Sequence, residues 1–336
     1  MQNGVSIVIC TYNGASRLEP TLRHIAQQNV PSDVNWEVLL IDNASTDGSA
    51  RIAEELWSLH ECTIPFRVLH QSIKGLSYAR DMGFSEAQYE YILMCDDDNW
   101  LDNDYVSTAY KIMESHPIIG VLGGHGNLIY EIPPPAWTIN YPIHAGGTQV
   151  YRSRMVRSYG IYGAGCIIRK SAYETLRLAG FEFSLTDRKG TKLSTGGDME
   201  LCYAIALAGY SIYYDNRLQF KHFIPKVRTT WNYYVELLNE NALAYIVLEP
   251  YKIHLTINTN NLIVFRLMLL VNFSLRGFYL LFTIAKKTIL VLSASDTNAI
   301  DLKIIWLKAR LKIYKNHNEM VDTFRKVSVF RRYFVV

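Results

Sequence analysis

The chain has 336 residues, nearly half of them apolar, which is enough for one or two domains with a sizeable core and excludes a disordered protein. Its five cysteines, Cys10, Cys62, Cys95, Cys166 and Cys202, form no CxxC pair and lack metal-ligand spacing, so they read as reduced core thiols. The net charge is only +3, yet from Leu262 onward thirteen Lys/Arg face four Asp/Glu, a net of +9 that leaves −6 on the remainder; such a basic tail suits an anionic surface.

The opening Met1-Gln2-Asn3-Gly4 runs directly into a strand candidate, Val5–Cys10, with no room for a secretory leader, so a cytoplasmic active site is expected. Short Val/Ile/Leu-rich runs at Glu37–Ile41, Phe66–His70, Tyr91–Cys95 and Ile119–Gly123 read as further strands. Amphipathic stretches at Arg17–Gln28, Gly48–Leu59, Tyr78–Glu86 and Asp104–Ser115 alternate with them as helices. The pattern predicts an α/β fold with a mainly parallel sheet flanked by helices. Ligands of such sheets bind beyond the carboxyl ends of the strands, where Thr11-Tyr12-Asn13, Asp42-Asn43 and Asp96-Asp97-Asp98-Asn99 all fall.

Adjacent like charges destabilise one another, so a carboxylate triplet at the end of a buried strand reads as a cation site for Mg²⁺ or Mn²⁺ shared with substrate phosphates. A solvated turn capping the next helix is the plainer alternative. Further on, Ser194-Thr195-Gly196-Gly197-Asp198-Met199-Glu200-Leu201 places carboxylates at a helix start, before the apolar stretch Cys202–Ala208. His222 follows a strand candidate at Leu218–Lys221 and reads equally as a structural residue or a metal ligand. The aromatic, proline-containing stretch from Tyr130 to Tyr162 looks like a long excursion from the sheet.

Together these segments resemble the family 2 glycosyltransferases of GT-A fold, over about Val5 to Arg228. "VSIVICTYNGASRLEPTLRHI" resembles the opening strand and nucleotide loop, "WEVLLIDNASTDGSARI" the second strand, and "KGLSYARDMGFSEAQYEYILMCDDDNWL" the stretch with a phosphate-side arginine and the DxD motif. The resemblance implies donor-nucleotide contacts from Thr11, Tyr12, Asn13, Asp42, Arg80 and either Asp96 or Asp97, with Lys74 as a possible helper. It implies a metal on Asp98, with His222, a general base at Asp198, and acceptor-side roles for Gly163, Ala164, Gly165 and Glu200. Glu200 would orient the acceptor or hold its loop. Gly197 stands where the family usually has glutamate. The implied activity is inverting, divalent-metal-dependent transfer of one sugar from a nucleotide-diphosphate donor, UDP-sugar favoured, to a saccharide acceptor, and the basic amphipathic tail suggests that this acceptor sits on a lipid carrier. A nucleotidyltransferase would show a glycine-rich, basic loop near its N-terminus, where this chain has Thr11-Tyr12-Asn13.

The expected organisation is a catalytic domain over residues 1–228, with a nucleotide half to about 123 and an acceptor half from 124, followed by a basic helical region over 229–336. Within the latter, Leu262–Leu292 is long enough to span a bilayer, but Arg266, Asn272, Arg276, Lys286 and Lys287 fall within an arc of roughly 160° at about 100° per residue. A helix lying in the interface, with the following cations on anionic lipid headgroups and Trp306 and Phe330 as anchors, is the expectation. The alternatives are a buried bundle helix and an oligomer contact. A peripheral membrane protein on the inner face of the cell membrane follows, with no nucleic-acid partner expected.

Overall fold

The computed structural model describes residues 2–150, 152–156, 160–188, 193–293 and 296–334. In chain order the first elements are β1 (Gln2–Thr11), α1 (Leu18–Ala26), β2 (Trp36–Asp42), α2 (Ser49–Ser58), β3 (Phe66–His70), α3 (Leu76–Glu86), β4 (Tyr89–Asp96), β5 (Asn99–Leu101), α4 (Tyr105–Ser115) and β6 (Ile119–Tyr130). There follow α5 (Ala136–Asn140), β7 (Arg154–Met155), β8 (Ile167–Arg169), α6 (Lys170–Leu178), α7 (Gly197–Leu207), β9 (Ser211–Ile224), α8 (Trp231–Ile257), α9 (Leu262–Leu292), α10 (Asn298–Lys312) and α11 (His317–Arg332).

The chain divides into two compact units, one of residues 1–129, 145–192 and 197–223, the other of residues 130–144, 193–196 and 224–336. The first holds a sheet in the order β3-β2-β1-β4-β8-β6-β9-β5, with β7 paired to β9. Neighbours from β3 through β4 are parallel, as the apolar runs predicted, because each is followed by a helical crossover. Beyond β4 the pairings of β8, β6, β5 and β9 that fix the site are antiparallel. Val5, Ile7, Val8 and Ile9 of β1 and Val38 to Ile41 of β2 are buried on both faces, which explains their continuous apolar sequence.

The helical unit holds α8 to α11 together with the segments 130–144 and 193–196. Trp137 of α5 packs edge-on against Trp231 and Tyr234 of α8, at ring distances of 5.3 and 4.8 Å. Part of the aromatic excursion thus belongs with the helices, and the first unit ends at Phe223. A separate core forms around Phe265, Phe324 and Ile253.

Candidate active site

Parallel register between β1 and β4 sets Cys10 beside Asp96, so the two strands end together. The Thr11 hydroxyl donates to Asp97 Oδ2 at 2.7 Å. Arg17, in the turn before α1, donates through Nε and Nη2 to both oxygens of the same carboxylate, at 3.0 and 2.9 Å. Thr21 donates to the Asp97 main-chain oxygen at 3.0 Å. Asp97 is thereby a clamp between β1, α1 and the triplet, held by a bidentate charged pair. Burial still raises Asp97 above the ordinary carboxylate range, and raises Asp96 as well, where Asp98 adds to the shift and Arg80 opposes it.

Asp98 is placed by a different device. Antiparallel pairing of β5 with β9 sets Asn99 opposite His222, and the Phe223 N–H donates to the Asp98 carbonyl at 2.9 Å. Trp100 lies stacked between His24 and Phe223, which fixes β5. His222 Nε2 then stands 3.5 Å from Asp98 Oδ1, while Nδ1 is 2.9 Å from the Ala145 carbonyl oxygen. A carbonyl only accepts, so Nδ1 carries a proton, and a neutral ring would turn the Nε2 lone pair toward the carboxylate. Asp98 Oδ1 also accepts from Asn99 Nδ2 at 3.1 Å. A hard oxygen beside an imidazole nitrogen fits Mn²⁺ or Mg²⁺. Among the described residues no group of three or more His, Cys, Asp or Glu forms a metal cage, so further ligands would come from substrate oxygens and water.

On the other side, Asp198 is half-buried at the start of α7. Its Oδ2 accepts the Gly163 N–H and its Oδ1 the Met199 N–H, both at 2.8 Å. A Cβ on Gly163 would stand 3.1 Å from Asp198 Cβ and 3.2 Å from Arg80 Nη2, so a bare backbone is what leaves room for both groups. Ala164 is buried, and the Gly165 N–H donates to Met94 of β4, which ties this loop to the strand carrying the triplet.

Glu200 is fully buried and accepts the Ser184 and Leu185 N–H groups at 3.1 and 2.9 Å. Burial outweighs these bonds and pushes it up to about 7. These bonds tie Glu200 to the segment around Ser184 and Leu185. That loop delivers Asp187, whose Oδ2 takes Arg80 Nη1 at 3.1 Å and whose Oδ1 takes the Gly197 N–H at 2.9 Å. A Cβ on Gly197 would lie 2.8 Å from Asp187 Oδ2. A carboxylate from a distant loop therefore fills the space beside Gly197. Burial pushes Asp187 up to about 6 against the opposing Arg80. Arg80 itself is raised: burial pulls it down, but Asp187, Asp96 and Asp198 outweigh that.

At the outer edge, Asp42 accepts the Ser45 N–H and lies 3.2 Å from His70 Nδ1. Asn13 takes a left-handed conformation and accepts the Thr46 N–H at 2.8 Å. Lys74 lies over the ring of the exposed Tyr12, 5.1 Å from its centroid. Thr11, Arg80, Asp96, Asp97, Asp98, Gly163, Asp198 and His222 are thus joined by direct contacts or shared backbone. Arg17 and Asp187 complete the site and were not read as site residues in the sequence, while Asn99, which closes the acidic run, accepts the Asp96 N–H and donates to Asp98 Oδ1. No local pattern in the sequence marks Arg17 or Asp187 for these contacts.

A sheet parallel to β4 and antiparallel beyond it, with acidic strand ends, is the GT-A-like arrangement of nucleotide-sugar transferases. The profile of Glycosyl transferase family 2 matches residues 6–177, just over half of the 336, and the chain belongs to that family. It is 33% identical over 107 residues to the cholesterol galactosyltransferase of Borreliella burgdorferi, covering 32% of this chain and 28% of the relative. It is 31% identical over 128 residues to glycosyltransferase GlyG of Streptococcus pneumoniae, covering 38% and 40%. The matches thus span well under half the length of these relatives. Among solved structures, S. aureus TarS in complex with UDP has a TM-score of 0.51 at 14% identity, covering 98% of this chain and 91% of that one. Mannosyltransferase PcManGT from Pyrobaculum calidifontis, in complex with GDP-Man and Mn²⁺, has 0.57 at 17% identity, covering 100% and 86%. Both likenesses concern the fold.

Proposed function

We propose that the chain is an inverting, divalent-metal-dependent glycosyltransferase that moves one sugar from a nucleotide-diphosphate donor to a saccharide acceptor. The observation that carries this is Gly163, whose backbone brings the half-buried Asp198 and the donor-side Arg80 against one residue. Asp42, Thr11, Tyr12 and Asn13 would hold the base and ribose edge, with UDP favoured through the Asp42 carboxylate. Since Asp97 is occupied by Arg17 and Thr11, Asp96 is the better ribose partner. Asp98 and His222 would hold Mn²⁺ or Mg²⁺, in keeping with the Mn²⁺ and nucleotides bound by the structural neighbours. When bound, the ion neutralises the diphosphate as its charge develops.

Asp198 accepts the proton of the acceptor hydroxyl while that oxygen forms its bond to the anomeric carbon, opposite the diphosphate. The bond from that carbon to the diphosphate breaks, and the nucleoside diphosphate leaves with its electron pair. The two backbone N–H groups fix the carboxylate for that transfer. Gly163 to Gly165 form the acceptor-side wall. The acceptor is a lipid-linked saccharide, and the protein works at the cytoplasmic face of a membrane, a reading that rests on the basic tail and on the exposed apolar residues of α9.

The test is nucleoside diphosphate release from UDP-, GDP- and dTDP-sugars with Mn²⁺ and lipid-linked acceptor. Asp198→Asn should lower kcat by roughly 10²–10⁴-fold with donor binding retained. Full activity of that variant, or release of inorganic diphosphate instead, would overturn the assignment.

A further inference from the structure

The polar stripe of α9 is turned toward its own unit. Asn272 Nδ2 donates to Glu249 Oε1 at 2.7 Å, Arg276 Nη2 donates to both Glu249 oxygens at 3.1 Å, and Lys287 stands 2.6 Å from Asp301. Glu249, buried on α8, also holds Arg310 of α10 at 2.7 Å. Three of the five polar positions of the arc are therefore satisfied within the protein. The helix is neither a buried bundle member nor polar on its outer side.

The exposed Arg266 and Lys286 flank the inward stripe on opposite sides. At about 100° per residue they bound an outward arc of roughly 200°, along a helix roughly 46 Å long. Within that arc Leu267, Leu270, Phe278, Leu281, Phe282 and Ile289 are 56–73% exposed. An apolar surface of this extent on a water-soluble face marks an interaction site.

We propose that α9 lies flat in the headgroup–acyl boundary of an anionic leaflet, with its outward arc immersed and Arg266 and Lys286 reaching lipid phosphates at the two edges. This rests on the membrane-surface reading above and defines how that contact is made. A second copy is the weaker occupant, because a facing helix covers only part of so wide an arc and would bring together two tails of net charge +9. Crossing the bilayer is disfavoured because α9 is tied to α8 and α10, which expose Glu236, Lys308 and Lys312. Long cations flanking an apolar arc are the arrangement of an interfacial helix.

The full chain should sediment with phosphatidylcholine vesicles that contain phosphatidylglycerol, and more weakly with phosphatidylcholine alone. The double variant Phe278→Glu/Leu281→Glu should bind at least about tenfold more weakly, with its unfolding temperature unchanged. Arg266→Glu/Lys286→Glu should lose the preference for the anionic lipid. Fluorophores at Ile263→Cys and Ile289→Cys, read against wild type treated with the same reagent, should be quenched equally by shallow spin-labelled lipid. Unequal depths would overturn the flat orientation. Vesicle binding insensitive to the acidic substitutions, or a dimer that they dissociate in a chain that ignores vesicles, would overturn the lipid assignment. Nucleoside diphosphate release is read separately, so failure of the transferase reading stays distinguishable.

Discussion

Buried carboxylates meet opposite fates in the two units. Glu249 is drawn below the ordinary glutamate range: burial pushes it up, but Arg310 and Arg276 more than offset this. Asp96 and Asp97 remain raised despite Arg80 and Arg17. The first pattern is a finished internal ion network, and the second is a site short of positive charge. Burial is common to both sites, and the balance of compensating charge is what distinguishes them.

Breaking the finished network should have the largest effect. Arg310 is 1% exposed and stacks over Tyr245 at 3.4 Å, and its Nε and Nη1 have no hydrogen-bond partner among the described residues. Glu249→Ala would strand this charge, at a cost of about 3–5 kcal/mol in urea-unfolding free energy. A loss below about 1 kcal/mol would show that the network is dispensable. In the charge-deficient site the reverse holds. Asp98→Ala should leave the fold near wild-type stability, yet reduce kcat/KM by roughly 10²–10³-fold, on the order of 3–4 kcal/mol. It should also abolish the Mn²⁺-dependent thermal shift produced by UDP. A shift that survives would remove Asp98 from the metal.

The carboxylates just named differ in how visible they were in the sequence. Asp98 and Asp198 stand out because a local pattern surrounds them, an apolar strand before one and a glycine pair before the other. Asp187 has no such pattern, and its partner Arg80 lies 107 residues away. Arg17 looked like the first residue of an amphipathic helix, since nothing local shows that the turn aims it at Asp97. The polar arc of α9 was legible as an arc, but its direction was not. That direction depends on Glu249, 27 residues from Arg276 on another helix. Periodicity along one element reveals its faces, and only a partner on another element decides which face turns inward.

Glu200 sharpens the comparison, because it is a buried carboxylate on the catalytic side with a structural task. Its folded value near 7 lies above the ordinary 4.5, so the folded state binds the proton more tightly than the unfolded one. Its contribution is therefore fully present below about pH 4.5 and is lost as the pH rises toward 7, a difference of about 3 kcal/mol. Glu200→Gln keeps an oxygen for the Ser184 and Leu185 N–H groups and removes the titration. Urea melts at pH 5 and pH 8 should show wild type losing more stability between the two than the variant does. Equal losses would place the Glu200 titration outside that window.

The smallest effect belongs to a charge that neither unit buries. Lys74 lies 3.2 Å from the Tyr12 hydroxyl and over the Tyr12 ring, and both residues are exposed. Such a contact contributes about 0.5–1 kcal/mol at most at an exposed site. If Lys74 only steadies Tyr12 against the donor, Lys74→Ala should raise the donor KM by roughly two- to fivefold, leave kcat unchanged, and lose its effect at high salt. A fall in kcat of tenfold or more would instead mean that the ammonium reaches the diphosphate as the bond breaks. Lys74 would then supply part of the positive charge that the site lacks.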